Sequence, residues 1–157
     1  MCLGYGRETC EHARIAVQQW KMFPPEIAEL YWPDIPIESG STVAVAFRVG
    51  FLWSLNACRI VYTIEEQNGN DSDRVARFGF AYGTLPTHAM RGEECFAVEL
   101  RRADGSVWYD QAAFSRPEHW WGYLGYPWLR KKQQLFRQLS AKAMQRAICS
   151  VADTRDS

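Results

Sequence analysis

The stretch EECFAVELRRADGSVWYDQAAFS, residues 93–115, decides the fold. Apolar and polar residues alternate from Glu93 to Arg101, and a second run with strand character extends from Val107 to Ser115. Such a period of two is typical of a β-strand that buries one of its faces. The dipeptide Asp104-Gly105 between the runs favours a tight turn, because glycine adopts positive φ without steric cost. The sequence therefore predicts an antiparallel hairpin.

Three further strands are predicted before this hairpin: Thr42–Val49, Arg59–Glu66 and Val75–Leu85. Thr42–Val49 is apolar and β-branched, whereas Arg59–Glu66 alternates less clearly and is followed by a turn signal at residues 68–71. The segment Glu26–Trp32 is ambiguous between a strand and a short helical turn.

The strand Val75–Leu85 has two distinct faces. Strand alternation puts aromatic and hydroxyl side chains on one face, namely Phe78, Phe80, Tyr82 and Thr84. The opposite face carries Arg77, Gly79, Ala81 and Gly83. Glycines inside a strand often mark the close approach of another element.

A helix is predicted at each end of the chain. The first begins near Thr9, whose hydroxyl can cap the first turn, and ends before Pro24; its apolar stripe is Cys10, Ala13, Val17 and Trp20. The second is a long amphipathic helix over Pro127–Ser150, with an apolar face of Leu129, Phe136, Leu139, Ala143 and Ala147. We predict that burial of Phe136 stabilises the fold.

This order of elements predicts an α+β domain, with an antiparallel sheet packed on a long C-terminal helix in a helix-grip-like arrangement and an additional N-terminal helix. Such a sheet and helix often enclose a cavity. The 157 residues are expected to form a single domain, 1–157, with a flexible tail over 151–157.

Composition restricts the class of protein. The five cysteines are odd in number and form no C-x-x-C pair, and the sequence has neither a signal-peptide pattern nor an apolar run of the ~20 residues that span a bilayer. We therefore expect a cytoplasmic protein. The net charge is zero, but Trp120–Ala152 contains six basic and no acidic residues. We interpret this segment as a solvated helix face and expect no nucleic-acid partner; contact with phosphate or anionic lipid is the alternative.

Motifs in the right order over most of the chain resemble one known family. They are MFPP (22–25), LNACRIVY (55–62), RFGFAYGTLPTH (77–88), RGEE (91–94), DGSVWYD (104–110) and AFSRP (113–117). The sequence resembles the domain-of-unknown-function family numbered nineteen-ninety, found in bacteria and plants. The resemblance implies a lipid-binding-like helix-grip fold and no particular activity. Members usually have a further segment before the first helix, so an N-terminal strand is expected to be missing here.

Glu94 is the acidic residue of most interest. Alternation places it with Phe96 and Val98 on the predicted apolar face, opposite to Glu93 and Glu99. A buried charge is costly unless it is paired, so a partner is expected among Arg59, Arg77 and Arg116. A structural ion pair is the favoured interpretation, and a general base is the alternative.

Histidines and metal-ligand patterns give little signal. His12 is interpreted as a surface residue on the first helix, while His88 and His119 are expected in loops. None has a partner at metal-ligand spacing, so no metal and no cofactor are expected. The aromatic segment from His119 to Trp128 is interpreted as a loop packed over the end of the sheet, with a membrane-interface belt as the alternative.

The favoured functional hypothesis is a module that binds a small apolar or amphipathic molecule between sheet and helix. Its site residues are predicted to be Tyr82, Thr84, Glu94, Tyr109 and Arg116. One alternative is a cofactor-free enzyme that uses Glu94 or His88 as a base. Another is an interaction domain that uses the basic C-terminal helix or an open sheet edge on a protein or membrane surface.

Overall fold

The fold is taken from a computed structural model, which describes residues 1–67, 73–85, 90–117 and 126–153. Within these ranges the chain forms seven strands and two helices, in the order β1 (Cys2–Tyr5), α1 (Gly6–Gln18), β2 (Ala28–Tyr31), β3 (Thr42–Val49), β4 (Leu52–Gln67), β5 (Arg74–Thr84), β6 (Met90–Arg101), β7 (Ser106–Pro117) and α2 (Tyr126–Asp153). The turn predicted at residues 68–71, as well as His88 and His119, lie outside the described residues.

The described strands form one curled antiparallel sheet with the order β1-β7-β6-β5-β4-β3-β2. The inner face of this half-barrel holds the apolar core, and α1 and α2 supply the helical side of the structure. The predicted α+β class and the helix-grip-like arrangement are confirmed. The predicted hairpin is β6–β7, with Gly105 at a φ of 69° in its turn.

Strand boundaries agree with the sequence where the chain is regular. The limits of β3 are those predicted, whereas β4 begins earlier, at Leu52, than the predicted start at Arg59. The weak alternation in β4 has a physical cause, because its pairing with β5 shifts register between Ile60 and Tyr62. An extra residue at such a bulge moves the following side chains to the other face. The short edge strand β1 was not predicted.

The first helix begins three residues earlier than the sequence indicates. Its N-cap is Tyr5, with no side-chain cap hydrogen bond, so the predicted capping role of Thr9 is wrong. The Thr9 hydroxyl lies inside the helix and donates to the Tyr5 carbonyl at 2.8 Å. The predicted apolar stripe does face the core, since Ala13 and Val17 are fully buried.

The second helix buries a stripe that is slightly rotated from the predicted one. Phe136 is buried as predicted, and the stripe continues through Ser140, Met144 and Ile148 at intervals of four residues. Leu139, Ala143 and Ala147 flank this stripe and are partly buried. The side chain of Leu129 is outside the described part of the chain.

Aromatic rings line the interior between the sheet and α2. The ring of Phe23 lies 5.6 Å from Phe96, 5.8 Å from Phe136 and 6.4 Å from Tyr82, measured between centroids. Phe136 also packs edge-on against Phe47 of β3 at 5.6 Å. These contacts fix α2 across the sheet and make the surroundings of Tyr82 apolar. Among the described residues, no helix is both long and apolar enough to cross a membrane.

Candidate ligand-binding site

Three neighbouring strands bring a polar cluster onto the inner face of the sheet. Tyr82 of β5 is directly opposite Glu94 of β6 in the register. The Tyr82 hydroxyl donates to Glu94 Oε2 at 2.6 Å, and Gln111 Nε2 of β7 donates to Glu94 Oε1 at 2.6 Å. Each carboxylate oxygen of Glu94 therefore accepts one hydrogen bond from a neutral donor. We call Tyr82, Glu94 and Gln111 the carboxylate cluster.

Burial dominates the electrostatics of Glu94. Removal from water disfavours the charged form and raises the pKa of its carboxyl group above the usual range. The hydrogen bonds from Tyr82 and Gln111 and the positive charge of Arg137 on α2 act in the opposite direction and lower this pKa. Because the raising effect is the larger, Glu94 takes up a proton more readily than an exposed glutamate.

The same environment keeps the neighbouring hydroxyl and thiol protonated. Burial first, and then the charge of Glu94, raise the pKa of Tyr82 well above its ordinary value. Cys58 of β4 is buried on the same face, and the same two effects raise the pKa of its thiol to about 12. Tyr82 is thus a stable hydrogen-bond donor, and Cys58 is not a nucleophile at neutral pH.

A second buried polar contact joins the sheet to the C-terminal helix. The hydroxyls of Tyr109 on β7 and Ser140 on α2 lie 2.8 Å apart. Burial raises the pKa of Tyr109, so its hydroxyl also stays protonated. Tyr109 is on the predicted face, two residues from Gln111 along β7, but its hydroxyl is engaged by the helix.

The other predicted site residues have separate roles. The Thr84 hydroxyl accepts from the Gly92 backbone N–H at 3.1 Å and lies 3.4 Å from the Gly92 carbonyl oxygen, so it serves the pairing of β5 with β6. Arg116 is opposite Arg91 in the register of β7 and β6, but its side chain lies outside the described residues. The same is true of His88, the alternative base.

The arginine partner predicted for Glu94 is not found among the described side chains. Arg59 and Arg77 are opposite Gly83 and Glu99 respectively, on the outer face of the sheet. Among the described side chains, neutral donors on the inner face of β5 and β7 take their place. The prediction of a charged partner from these two strands is therefore wrong.

The interpretation of His12 as a surface residue is also wrong. Its side chain is buried on α1, and within the described ranges Nε2 has no hydrogen-bond partner. In the part of the chain that the structure describes, no three histidine, cysteine, aspartate or glutamate side chains are placed so that they could hold a metal ion.

A surface pocket of about 220 Å³ lies away from the carboxylate cluster. It is formed between α1 and the adjoining ends of β4 and β5, with Cys10, Arg14, Glu65 and Phe78 in its lining. The guanidinium of Arg14 lies 5.7 Å from the centre of the Phe78 ring and is also paired with Glu11. This pocket contains none of the predicted site residues.

Sequence reasoning missed Gln111 and Ser140. For Gln111 a signal was present, since it alternates with Val107 and Tyr109 on one face of β7. For Ser140 the signal was weak, because a serine in an amphipathic helix usually faces solvent. Its burial depends on the position of Tyr109, which only the packing of α2 on the sheet determines.

Fold and site together define an α+β protein of helix-grip-like arrangement with a buried carboxylate between sheet and helix. The chain belongs to a family of domains of unknown function, DUF1990, whose model matches residues 1–143. This confirms the family resemblance seen in the sequence.

Curated relatives come from distant organisms. A UPF0548 protein of Dictyostelium discoideum is 37% identical over 160 residues, which cover 98% of this chain and 72% of the relative. A UPF0548 protein of Arabidopsis thaliana is 34% identical, covering 90% of this chain and 67% of the relative. A UPF0548 protein of Deinococcus radiodurans is 34% identical over 124 residues, which cover 73% of this chain and 58% of the relative. No solved structure matches the chain significantly.

Proposed function

We propose that this protein binds a small amphipathic molecule between the inner face of the sheet and α2, and that the polar end of the ligand is a hydrogen-bond donor. The observation that carries the proposal is the composition of the carboxylate cluster. It holds a buried carboxylate and a buried amide carbonyl, and its supply of donors is incomplete.

The count of donors and acceptors supports a donor on the ligand. Two oxygens of a carboxylate offer about four lone-pair directions, and Glu94 accepts one hydrogen bond from Tyr82 and one from Gln111. Gln111 Oε1 is buried and has no hydrogen-bond partner among the described residues. An unsatisfied buried acceptor costs about 1–3 kcal/mol, so a hydroxyl, amide or ammonium group that reaches it gains that energy on binding.

The surrounding side chains support an apolar body for the ligand. Phe96 flanks Tyr82 at 5.7 Å between centroids, and Phe23 and Phe136 extend the aromatic surface towards α2. A few oriented polar groups within apolar walls are typical of small-molecule sites. Tyr82 keeps its place in the proposed site, while Gln111 replaces Thr84 as a contact for the polar end.

Native mass spectrometry of gently purified protein tests the proposal. We expect a bound molecule. Tyr82→Phe should weaken its binding by about 0.5–1.5 kcal/mol, the net value of the one hydrogen bond that the Tyr82 hydroxyl oxygen can accept from the ligand while its proton is donated to Glu94. Tyr62→Phe is the matched control, because Tyr62 is an exposed tyrosine of the neighbouring strand on the outer face. A ligand-free mass, or an equal effect of the two variants, would contradict the proposal.

A second candidate, favoured by the raised pKa of Glu94, is a cofactor-free enzyme in the same place. A buried carboxyl group with a pKa shifted towards neutrality suits general acid–base chemistry. The two candidates differ in one measurement: incubation of the purified ligand with the protein leaves it unchanged for a binding module and converts it for an enzyme. Glu94→Gln would then abolish conversion, while Glu93→Gln, on the exposed opposite face, would not.

A cytoplasmic location belongs to the same proposal. The five cysteines are free thiols, and Cys149 is exposed on α2. Unpaired thiols are typical of proteins in a reducing compartment. Fractionation of cells that express the tagged protein would place it with soluble cytoplasmic markers.

A further inference from the structure

The hairpin between β3 and β4 ends in a protruding apolar tip. Val49 pairs with Leu52, so Gly50 and Phe51 form a two-residue turn, and Gly50 has a φ of 66°. Phe51 is 89% exposed, Leu52 62% and Trp53 49%. We call Phe51, Leu52 and Trp53 the hairpin tip. Three consecutive large apolar side chains in water are unfavourable and indicate contact with another apolar phase.

Basic residues lie at the same end of the molecule. In the antiparallel order of the sheet, β3 and β7 run in the same direction, so both strands end on the same side of the sheet. The contact of Phe136 with Phe47 places the first half of α2 beside the hairpin. Lys131 and Arg137 of this half are exposed, as is Arg48 at the base of the hairpin, and the first turn of α2 contains no acidic residue.

We propose that the hairpin tip inserts into the surface of an anionic lipid bilayer while the exposed basic residues Arg48, Lys131 and Arg137 contact its headgroups. Apolar side chains that enter the acyl boundary next to a basic rim are the usual means of reversible membrane binding. Charge complementarity favours an anionic surface over a neutral one.

The shape of the hairpin tip favours a bilayer over a protein partner. A stable protein–protein interface buries roughly 1,000 Å² or more, which requires a broad and complementary patch. A two-residue turn with three large side chains presents a narrow projection instead. A bilayer accepts such a projection without a shaped partner, because its acyl region adapts to the inserted side chains.

Co-sedimentation of the whole protein with vesicles tests the proposal. We expect binding to an equal mixture of phosphatidylcholine and phosphatidylserine, weaker binding to phosphatidylcholine alone, and a decrease at high salt. Phe51→Ser with Leu52→Ser should lower the apparent affinity for the anionic vesicles by about tenfold or more. Tyr5→Ser is the control, since Tyr5 is 68% exposed and lies at the opposite end of the sheet, beside Ser106.

A second pair of variants tests the proposed contact between basic side chains and lipid headgroups. Lys131→Glu should weaken binding to anionic vesicles, whereas Lys142→Glu, exposed on the same helix about 16 Å further along its axis, should have a smaller effect.

Two results would overturn the proposal. One is sedimentation that is equal for the native protein and the tip variant, or absent with the anionic vesicles. The other is a dimer in light scattering that Phe51→Ser with Leu52→Ser converts to a monomer, because the hairpin tip would then be covered by a second copy of the chain.

Discussion

The buried carboxyl group of Glu94 is expected to make stability depend on pH in a direction opposite to that of most glutamates. Its pKa in the folded protein is raised above the ordinary value of 4.5. Between these two pKa values the folded state binds more protons than the unfolded state, so stability falls as pH rises. The contribution of Glu94 is therefore largest below about pH 4.5 and decreases as pH rises through the raised pKa.

Urea unfolding at a series of pH values measures this contribution. The unfolding free energy of the native protein minus that of Glu94→Gln should decrease as pH rises above 4.5. The buried glutamate loses its proton in this range, whereas the glutamine stays neutral. Glu93→Gln, which removes an exposed carboxylate from the next position, controls for the loss of one negative charge from β6. A difference that stays constant or increases with pH would show that Glu94 is not destabilised by burial.

At single residues, the sequence predicts which face a side chain occupies better than what it touches. Strand alternation alone placed Glu94 and Tyr82 on the apolar face, and the structure agrees. Their mutual contact depends on the register of β5 and β6, which alternation does not specify. Arg59 and Arg77 were wrong as partners of Glu94 for a different reason, since they lie on the opposite face of the sheet.

Within strand β5, Gly79 is expected to be the glycine that tolerates substitution least. A Cβ atom added there would lie 2.3 Å from the Phe96 carbonyl oxygen, a backbone atom of β6. At Gly83 the nearest atom is Val61 Cγ2 at 3.2 Å, on an exposed side chain that can move. Gly79→Ala should therefore destabilise by about 1–3 kcal/mol or more, and Gly83→Ala by clearly less. Equal midpoints of thermal unfolding for the two variants would contradict this ranking.

Among the side chains of α2, Phe136 is expected to contribute most to the stability of the packing of this helix against the sheet. Phe136 is buried and contacts both Phe23 and Phe47. Phe136→Ala should lower the unfolding free energy by about 3–5 kcal/mol, from lost burial and the remaining cavity. The adjacent Leu135 is 42% exposed, so Leu135→Ala should cost much less. An unchanged denaturation midpoint for Phe136→Ala would refute its place in the core.

Elements with a regular period were predictable, and those shaped by tertiary contacts were not. The limits of β3 followed from its β-branched sequence, while the bulge in β4 obscured the alternation that defines a strand. β1 and β2 have four residues each, too few for a period to be detected. The rotation of the buried stripe in α2 reflects the contact of Ser140 with Tyr109, which lies 31 positions away in sequence.

For the whole molecule, the order of elements was sufficient to predict an antiparallel sheet closed by a long helix. Several strands with one apolar face need a cover, and the amphipathic C-terminal helix is the largest apolar surface available for it. The composition of the space between them could not be predicted. Apolar residues in the sequence are compatible with both an open and a filled interior, because side-chain packing in three dimensions decides between the two.

The contact between Tyr109 and Ser140 is expected to couple the sheet to α2 energetically. Both hydroxyls are buried, so removing one leaves the other without its partner. Ser140→Ala leaves the buried Tyr109 hydroxyl without its partner and should lower the unfolding free energy by about 1–3 kcal/mol. Tyr109→Phe should cost less, because a helical serine can donate instead to the carbonyl four residues earlier.

A double-mutant cycle measures this coupling. The variant with both changes should be destabilised by less than the sum of the single variants, and by about as much as Tyr109→Phe alone, since it leaves no hydroxyl unsatisfied. Ser150→Ala is the control on the same helix, because its hydroxyl is exposed and donates to the Ala147 carbonyl, three residues earlier, at 2.9 Å. Strict additivity of the two single changes would mean that the 2.8 Å contact does not link the stability of the sheet to that of α2.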